Sequence, residues 1–122
     1  MELKTYFFDT YAFHEVISGN PDYEKFSKKI AIVTTKLNLM ELYYTLLLKY
    51  NLSIADKYYE EFLKYAVETD DDTIKSAMQF KIKNKKMSYA DCIGYFVAKK
   101  RNARFLTGDE HFRELPNVEF VK

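Results

Sequence analysis

The stretch "KTYFFDTYAF", residues 4–13, joins an aromatic, β-favouring run to a single acid and the beginning of a helix. Its first half, "KTYFF", has the composition of a buried strand. Asp9 or Thr10 then serves as the N-cap of a helix over "DTYAFHEVI", residues 9–17. A strand that passes directly into a helix is typical of α/β folds, where chain direction determines which sheet edge a residue occupies.

The rest of the chain continues the alternation of strands and helices. The predicted elements are a turn at 19–22, a short helix at 23–30, a strand at 30–35, long helices at 36–51 and 53–68 (the second capped by Ser53), a helix from "TDDDT" to Lys83, a basic loop "KNKKM", a helix at 88–101, and strands in "ARFLTGD" and "VEFVK". This order predicts a three-layer α/β/α sandwich with a mainly parallel sheet of four or five strands, built as one domain over residues 1–122.

Composition indicates a cytoplasmic protein with no membrane segment. The single cysteine, Cys92, excludes an internal disulfide and suits a reducing compartment. The N-terminus lacks the pattern of a secretory signal. The longest apolar stretch, residues 37–48, is too short to cross a bilayer and contains Asn38 and Glu41.

Four acids lie where this topology brings chain segments to one sheet edge. Asp9 ends the first strand, and Glu41 lies early in the helix that follows the second. Asp91 begins the helix that leads into the strand "RFLT", and Asp109 follows that strand. A helix that precedes a parallel strand begins where the strand ends, so all four acids are expected at the carboxyl edge, where open α/β sheets bind ligands.

Each acid also has a purely local interpretation. Asp9 caps a helix, and Asp109 fits the turn "TGDE". "NLME" and "SYAD", which end at Glu41 and Asp91, have the spacing of a capping box. For a single acid the local role is the simpler hypothesis, but two carboxylates ~5 Å apart repel by about 3 kcal/mol at an effective dielectric near 20. Four converging acids therefore favour a bound cation or raised pKa values, and oxygen ligands without His or Cys suit Mg²⁺ or Mn²⁺.

At this point the sequence resembles a known family. The segments "FFDTYAF", "NLMELYY", "SYADCIGYFVAKKRNARFLTGDEHF" and "LPNVEFV" together are similar to PIN-domain ribonucleases. Among these the chain looks most like the small VapC-type toxins of prokaryotic toxin–antitoxin pairs. The resemblance extends over essentially the whole chain and rests on the ordered set of acids rather than on any one motif.

The resemblance implies a metal-dependent endoribonuclease. Asp9, Glu41, Asp91 and Asp109 fall on the acidic catalytic and metal-binding positions, of which the last is the most variable in the family. Thr10 and Thr107 fall on hydroxyl positions that support the site. One or two Mg²⁺ or Mn²⁺ ions would activate a water that attacks phosphorus and leaves a 5′-phosphate.

Charge is distributed unevenly along the chain, and the basic part is compatible with binding a polyanion such as RNA. Residues 56–72 hold seven acids and two bases, net −5, whereas residues 74–104 hold nine bases and one acid, net +8. The candidates for binding the RNA backbone are Lys85, Lys86, Lys99, Lys100, Arg101 and Arg104. Lys85 and Lys86 are favoured because they precede the Asp91 helix, whereas cations near a helix C-terminus also suit its dipole.

The helix at 36–51 is apolar around most of its circumference, because Leu and Tyr residues continue past a single stripe. This surplus predicts an interface, either a homodimer or a groove for an antitoxin segment. The alternative is a helix enclosed between two layers of one domain.

Other functions are compatible with parts of this sequence. A PIN nuclease that processes RNA without being a toxin, and a non-catalytic RNA- or protein-binding adaptor, share the fold. A Mg²⁺-binding receiver domain would need an acid after a mid-chain strand, where this sequence predicts helices. His14 and His111 lack the partners of a zinc site, Cys92 is expected in the core, and the Tyr and Phe residues are expected in the core rather than against RNA bases.

Overall fold

The computed structural model of the chain describes residues 3–122. The elements are β1 (Lys4–Phe8), α1 (Thr10–Ser18), β2 (Ile30–Val33), α2 (Lys36–Lys49), α3 (Leu52–Phe62), α4 (Asp71–Lys83), α5 (Tyr89–Lys100), β3 (Arg104–Thr107) and β4 (Val118–Phe120), with 3₁₀ turns at Pro21–Ser27, Leu63–Tyr65 and Glu110–Phe112.

The four strands form one sheet in the order β2-β1-β3-β4, and every neighbouring pair is parallel. Phe7 of β1 pairs with Val33 on one side and Phe105 on the other. A single parallel bridge between Thr34 and Ala66 extends the β2 edge. The predicted parallel α/β sheet is confirmed, and all strands end at the same edge.

Alternation along β1 separates two cores, one on each face of the sheet. Tyr6 and Phe8 belong to the cluster that includes Phe13 of α1 and Leu39 of α2. Phe7 points the other way, into the cluster formed with α4 and α5. Successive side chains of a strand point to opposite faces of the sheet. A strand whose consecutive residues are all apolar is therefore covered on both faces. The three-layer arrangement predicted from the sequence is therefore confirmed.

A glycine allows α5 to lie close against β1 and α2. A Cβ at Gly94 would lie 2.9 Å from two ring carbons of Phe7 and 3.1 Å from Oδ1 of Asn38. Any larger residue would push the helix away from both neighbours. This close approach brings the beginning of α5, and with it Asp91, toward the end of β1.

Three sequence predictions about element ends were wrong. The helix predicted at 23–30 is a 3₁₀ turn over Pro21–Ser27, because Ile30 is already paired with Lys4 in the sheet. The second long helix ends at Phe62 instead of 68, and Asn51, not Ser53, caps it. The third concerns Glu41: Thr35 caps α2 and accepts from the Asn38 amide, so "NLME" is no capping box.

The apolar surplus on α2 is exposed rather than enclosed. Leu39, Leu42 and Leu46 are buried, whereas Met40, Tyr44 and Leu48 are 58%, 62% and 69% exposed. The alternative of a helix enclosed between two layers was therefore wrong. Within residues 3–122, no helix combines the length and the apolar character that crossing a membrane requires.

Candidate active site

Asp9 is a buried carboxyl group at the carboxyl end of β1, only 2% exposed. Its Oδ1 accepts the amide N–H of Ala12 at 2.8 Å, which is the predicted cap of α1. Its Oδ2 accepts the hydroxyl of Thr107 at 2.5 Å, across from β1 to β3. The local and the long-range contacts use different oxygens, so capping does not exclude a second role.

Burial raises the pKa of Asp9 to about 8. The hydrogen bonds from Thr107 and Ala12 act in the opposite direction, and the nearby charges of Asp91 and Asp109 raise the pKa further. Among residues 3–122, no lysine or arginine forms a salt bridge with Asp9. A buried acid that keeps acidic neighbours and lacks a basic partner is typical of a functional site.

Asp91 lies in the first turn of α5 and completes a capping box with Ser88. Its Oδ2 accepts the Ser88 amide at 3.0 Å, and its own amide donates to the Ser88 hydroxyl at 3.0 Å. Burial raises the pKa of Asp91 to about 6, and the charges of Glu41 and Asp109 contribute to the shift. The cap predicted from "SYAD" is confirmed. The same carboxylate is close enough to Glu41 and Asp109 for their charges to raise its pKa.

Glu41 is the acid with no local function. It is the sixth residue of α2, beyond the first turn. Its Oε1 accepts the hydroxyl of Thr10 at 3.3 Å, and the same hydroxyl lies 3.2 Å from the carbonyl oxygen of Asn38. Because Glu41 caps nothing, its place beside Thr10 and Asp91 is the part of the cluster that local structure does not explain.

Asp109 lies just past β3 and is half-buried. Its Oδ1 accepts the amide N–H of His111 at 3.0 Å and lies 2.9 Å from Nδ1 of the same residue. Its amide donates to the hydroxyl of Thr107 at 3.0 Å, and that hydroxyl in turn donates to Asp9. Thr107 thus links the ends of β1 and β3 through these two hydrogen bonds.

The structure brings the four acids to one edge of the sheet. Their donor set consists of carboxylate oxygens with hydroxyl groups beside them, which fits Mg²⁺ or Mn²⁺ better than zinc. Among residues 3–122, no three Asp, Glu, His or Cys side chains already form a group arranged to hold a metal ion. A bound cation would displace the protons that the raised pKa values of Asp9 and Asp91 favour.

Of the predicted RNA-binding residues, Lys85 and Lys86 lie at the end of α5 that carries Asp91. Both are exposed in the loop between α4 and α5, directly before the turn that carries Asp91. The Nζ of Lys81 holds this loop by donating to the carbonyl oxygens of Lys85 at 3.2 Å and Met87 at 2.6 Å.

The remaining basic candidates lie at the other end of α5. They are Lys99, Lys100, Arg101 and Arg104. Because α5 has 12 residues, ~18 Å of helix separates these basic residues from the end that carries Asp91. Lys100 forms an ion pair with Asp70, and Arg104 pairs with Glu119 at 3.5 Å.

Two features of the site region were missed in the sequence. Asn38, which the spacing of "NLME" offers as a helix cap, is fully buried; its Oδ1 accepts the hydroxyl of Thr35 at 2.7 Å, and its Nδ2 has no hydrogen-bond partner within residues 3–122. Its position three residues before Glu41, on the same helix face, was the available signal. The ring of Tyr11 packs on Gly108, where a Cβ would lie 2.3 Å from it.

A family model of the PIN domain matches residues 6–118, which include all four acids. The chain belongs to the PIN domain family. PIN domains are generally nucleases that use divalent metals, so membership supports a hydrolase of nucleic acids. No protein of curated function matches the sequence of this PIN domain.

Solved structures share the fold of this PIN domain at low sequence identity. A toxin–antitoxin complex from Klebsiella pneumoniae superposes with a TM-score of 0.72 at 14% identity, covering 93% of this chain and 95% of that one. PAE2754 from Pyrobaculum aerophilum gives 0.69 at 15% identity, covering 99% and 92%. VapBC2 from Rickettsia felis, bound to a DNA fragment from its promoter, gives 0.70 at 18% identity, covering 96% and 97%.

Proposed function

We propose that this PIN domain, spanning residues 1–122, is a Mg²⁺- or Mn²⁺-dependent endoribonuclease. The observation that carries the proposal is the buried carboxyl group of Asp9, which faces Asp91 and Asp109 without a basic partner in residues 3–122. Such an arrangement disfavours ionisation in the free protein, and a divalent cation is the ligand that would reverse this cost.

The proposed ligands of the cation are the carboxylates of Asp9, Glu41, Asp91 and Asp109. Hydroxyl donors orient two of them: Thr107 holds Asp9, and Thr10 holds Glu41. Held by these residues, a divalent cation would supply the Lewis acidity that polarises the scissile phosphate and lowers the pKa of an attacking water. The chain's own contribution is to keep four oxygen donors on the ends of separate rigid elements.

The proposed substrate is RNA, whose backbone would be neutralised first by Lys85 and Lys86. These side chains are exposed beside the turn that carries Asp91. The cations at the far end of α5 would contact only an RNA long enough to pass along that helix, and Lys100 would first have to release Asp70.

The cleavage experiment uses purified protein and a labelled RNA. We expect cleavage with Mg²⁺ or Mn²⁺, its loss with EDTA, its return when the cation is restored in excess, and products with 5′-phosphates. Asp9→Asn protein purified in the same way controls for contaminating nucleases. Cleavage that survives EDTA, or that the Asp9→Asn preparation shows equally, would exclude this site.

We further propose that the chain is the toxin of a toxin–antitoxin pair and binds a small antitoxin protein. Two structures of the same fold bear the names of toxin–antitoxin assemblies.

The chain also has an exposed apolar face on α2, formed by Met40, Tyr44, Leu47 and Leu48. We assign this face to a homodimer, because a second copy would bury the same apolar residues from both sides.

The homodimer is tested with Leu48→Glu. A charge at this 69% exposed position should weaken dimerisation at least ~10-fold, since a buried unpaired carboxylate is costly at an interface core. Sedimentation equilibrium measures the change. Ile82→Glu is the matched control, because Ile82 is 68% exposed on α4 and should leave the dimer intact. A wild-type chain that is monomeric at high concentration would reassign the face to the antitoxin.

A further inference from the structure

Tyr89 is an aromatic side chain that the core does not use. It is the first residue of α5 and is 66% exposed. Most Phe and Tyr rings of the chain lie in the two clusters that cover the sheet. Tyr89 stands outside both, at the first position of α5 and thus at the helix end that also carries Asp91. Its exposure at this place is therefore not explained by packing.

Lys81 positions the Tyr89 ring. Its Nζ lies 5.0 Å from the ring centroid and also donates to the carbonyl oxygens of Lys85 and Met87. One ammonium group thus closes the loop between α4 and α5 and stands against the ring at the end of that loop. The ring and the backbone of Lys85 are consequently held in a fixed relation, so less ordering entropy is lost when a ligand binds.

The segment that leads into Tyr89 is basic. Residues 81–90, from the last turn of α4 to the beginning of α5, contain four lysines (81, 83, 85 and 86), and the first acid after them is Asp91. In the part of the chain that the structure describes, none of the four forms a salt bridge. An exposed aromatic ring among lysines without acidic partners matches the chemistry of a base attached to a phosphate.

We propose that Tyr89, with Lys85 and Lys86, forms a stacking platform for single-stranded RNA beside the active site. The ring stacks on a base next to the scissile phosphate, and the two lysines neutralise the neighbouring phosphates. Stacking requires a base that is free on one face, which a single strand offers and an intact duplex does not. This inference rests on the proposed nuclease function and adds a residue that contacts a base of the substrate.

The test measures RNA binding apart from cleavage. All variants are made in the Asp9→Asn background, and fluorescence anisotropy gives the Kd for an unstructured oligoribonucleotide of about ten nucleotides. Tyr89→Ala should raise that Kd about 5- to 100-fold, the range of one lost base–aromatic stack. Tyr89→Phe should bind within twofold of the parent, since the ring is retained. For a duplex of the same sequence, Tyr89→Ala should change the Kd less than twofold.

Tyr50 provides the matched control. It is 44% exposed, and the Nζ of Lys49 lies 5.7 Å from its ring, so it repeats the local chemistry of Tyr89. It follows the last turn of α2, which begins near the acids and runs away from them. Tyr50→Ala should leave the Kd unchanged. Replacing Lys85 and Lys86 together by alanine should reduce the slope of log K against log salt by about 1.4.

Two results would overturn the platform. One is a single-strand Kd that Tyr89→Ala leaves within twofold, or changes no more than Tyr50→Ala does. The other is an equal loss for the duplex, which would assign Tyr89 to backbone contact instead of stacking. If wild-type protein still cleaves RNA with Mg²⁺ in either case, only the platform fails. A protein that neither binds nor cleaves RNA refutes the proposed function, and the exposed ring would then face a protein partner.

Discussion

Asp9→Asn should abolish RNA cleavage and at the same time make the folded protein more stable at neutral pH. Asparagine retains the oxygen that caps α1 but carries no charge, so it cannot contribute a carboxylate to the cation. We expect a loss of at least ~100-fold in cleavage rate. The stability gain arises because burial raises the pKa of Asp9 to about 8, so the free protein incurs a cost for this acid at pH 7 that asparagine avoids.

The size of that gain follows from linkage. A group with a raised pKa in the folded state stabilises the fold fully below its unfolded value of 3.8, and that contribution is lost as the pH rises through about 8. The amide nitrogen of asparagine cannot accept the Thr107 hydroxyl, which offsets part of this gain. At pH 7 the substitution should therefore raise the free energy of unfolding by about 1–3 kcal/mol. The Asp9→Asn protein retains Asp91, whose pKa is raised to about 6. It should therefore still lose stability as the pH rises from about 4 to 6.

Denaturant unfolding of both proteins from pH 4 to 8 measures this difference. The wild type should lose stability across the range, and Asp9→Asn should show a flatter profile above pH 6. Mg²⁺ should stabilise the wild type at pH 8 and leave Asp9→Asn largely unchanged. A variant that is less stable than the wild type at pH 7 would contradict this account of Asp9.

Expression in a host cell adds a readout for the toxin proposal. The wild type should arrest growth, and Asp9→Asn should relieve the arrest without loss of protein level. A wild type that cleaves RNA in vitro but leaves growth unaffected would indicate an RNA-processing nuclease.

Glu41→Gln should eliminate cleavage without changing stability. Glu41 caps no helix, and its hydrogen bond is accepted from Thr10, a role that the glutamine carbonyl oxygen also fulfils. The free energy of unfolding without metal should stay within ~0.5 kcal/mol of the wild type. Cleavage should fall at least ~100-fold, and the stabilisation by Mg²⁺ should be reduced.

Unfolding curves with and without Mg²⁺, together with single-turnover cleavage, separate the two effects. Glu61→Gln, an exposed glutamate on α3, is the control and should behave as wild type in both assays. Full activity in Glu41→Gln would remove Glu41 from the ligand set and leave its position beside Asp91 without a function.

Local signals in the sequence predicted two helix caps correctly and two others at the wrong residue. Asp9 and the pair Ser88–Asp91 cap their helices as expected, because each lies directly at a strand-to-helix or loop-to-helix junction. "NLME" has equally good spacing, but Thr35 already caps α2, where the chain leaves β2. In the same way, Asn51 caps α3 in place of the predicted Ser53. Spacing alone does not specify which of two competent residues the preceding element places at the junction.

The basic residues show the limit of charge patterns. Nine basic residues lie between positions 74 and 104 of the sequence. Because α4 and α5 are antiparallel, these residues divide between the two ends of that helix pair. Only the group in the α4–α5 loop lies beside the acids. The exposure of Tyr89 was equally unavailable, because a ring at helical spacing looks the same in sequence whether or not a neighbour covers it.

The order of the strands and long helices, and the convergence of the four acids on one sheet edge, were determined by the sequence itself, because strand alternation, helix periodicity and chain direction are local properties. Packing decided the rest. The burial that raises the pKa values of Asp9 and Asp91 arises from segments far apart in the chain, with Thr107 reaching Asp9 across 98 residues. The electrostatic character of an acid depends on what excludes water from it, and only the tertiary structure supplies those neighbours.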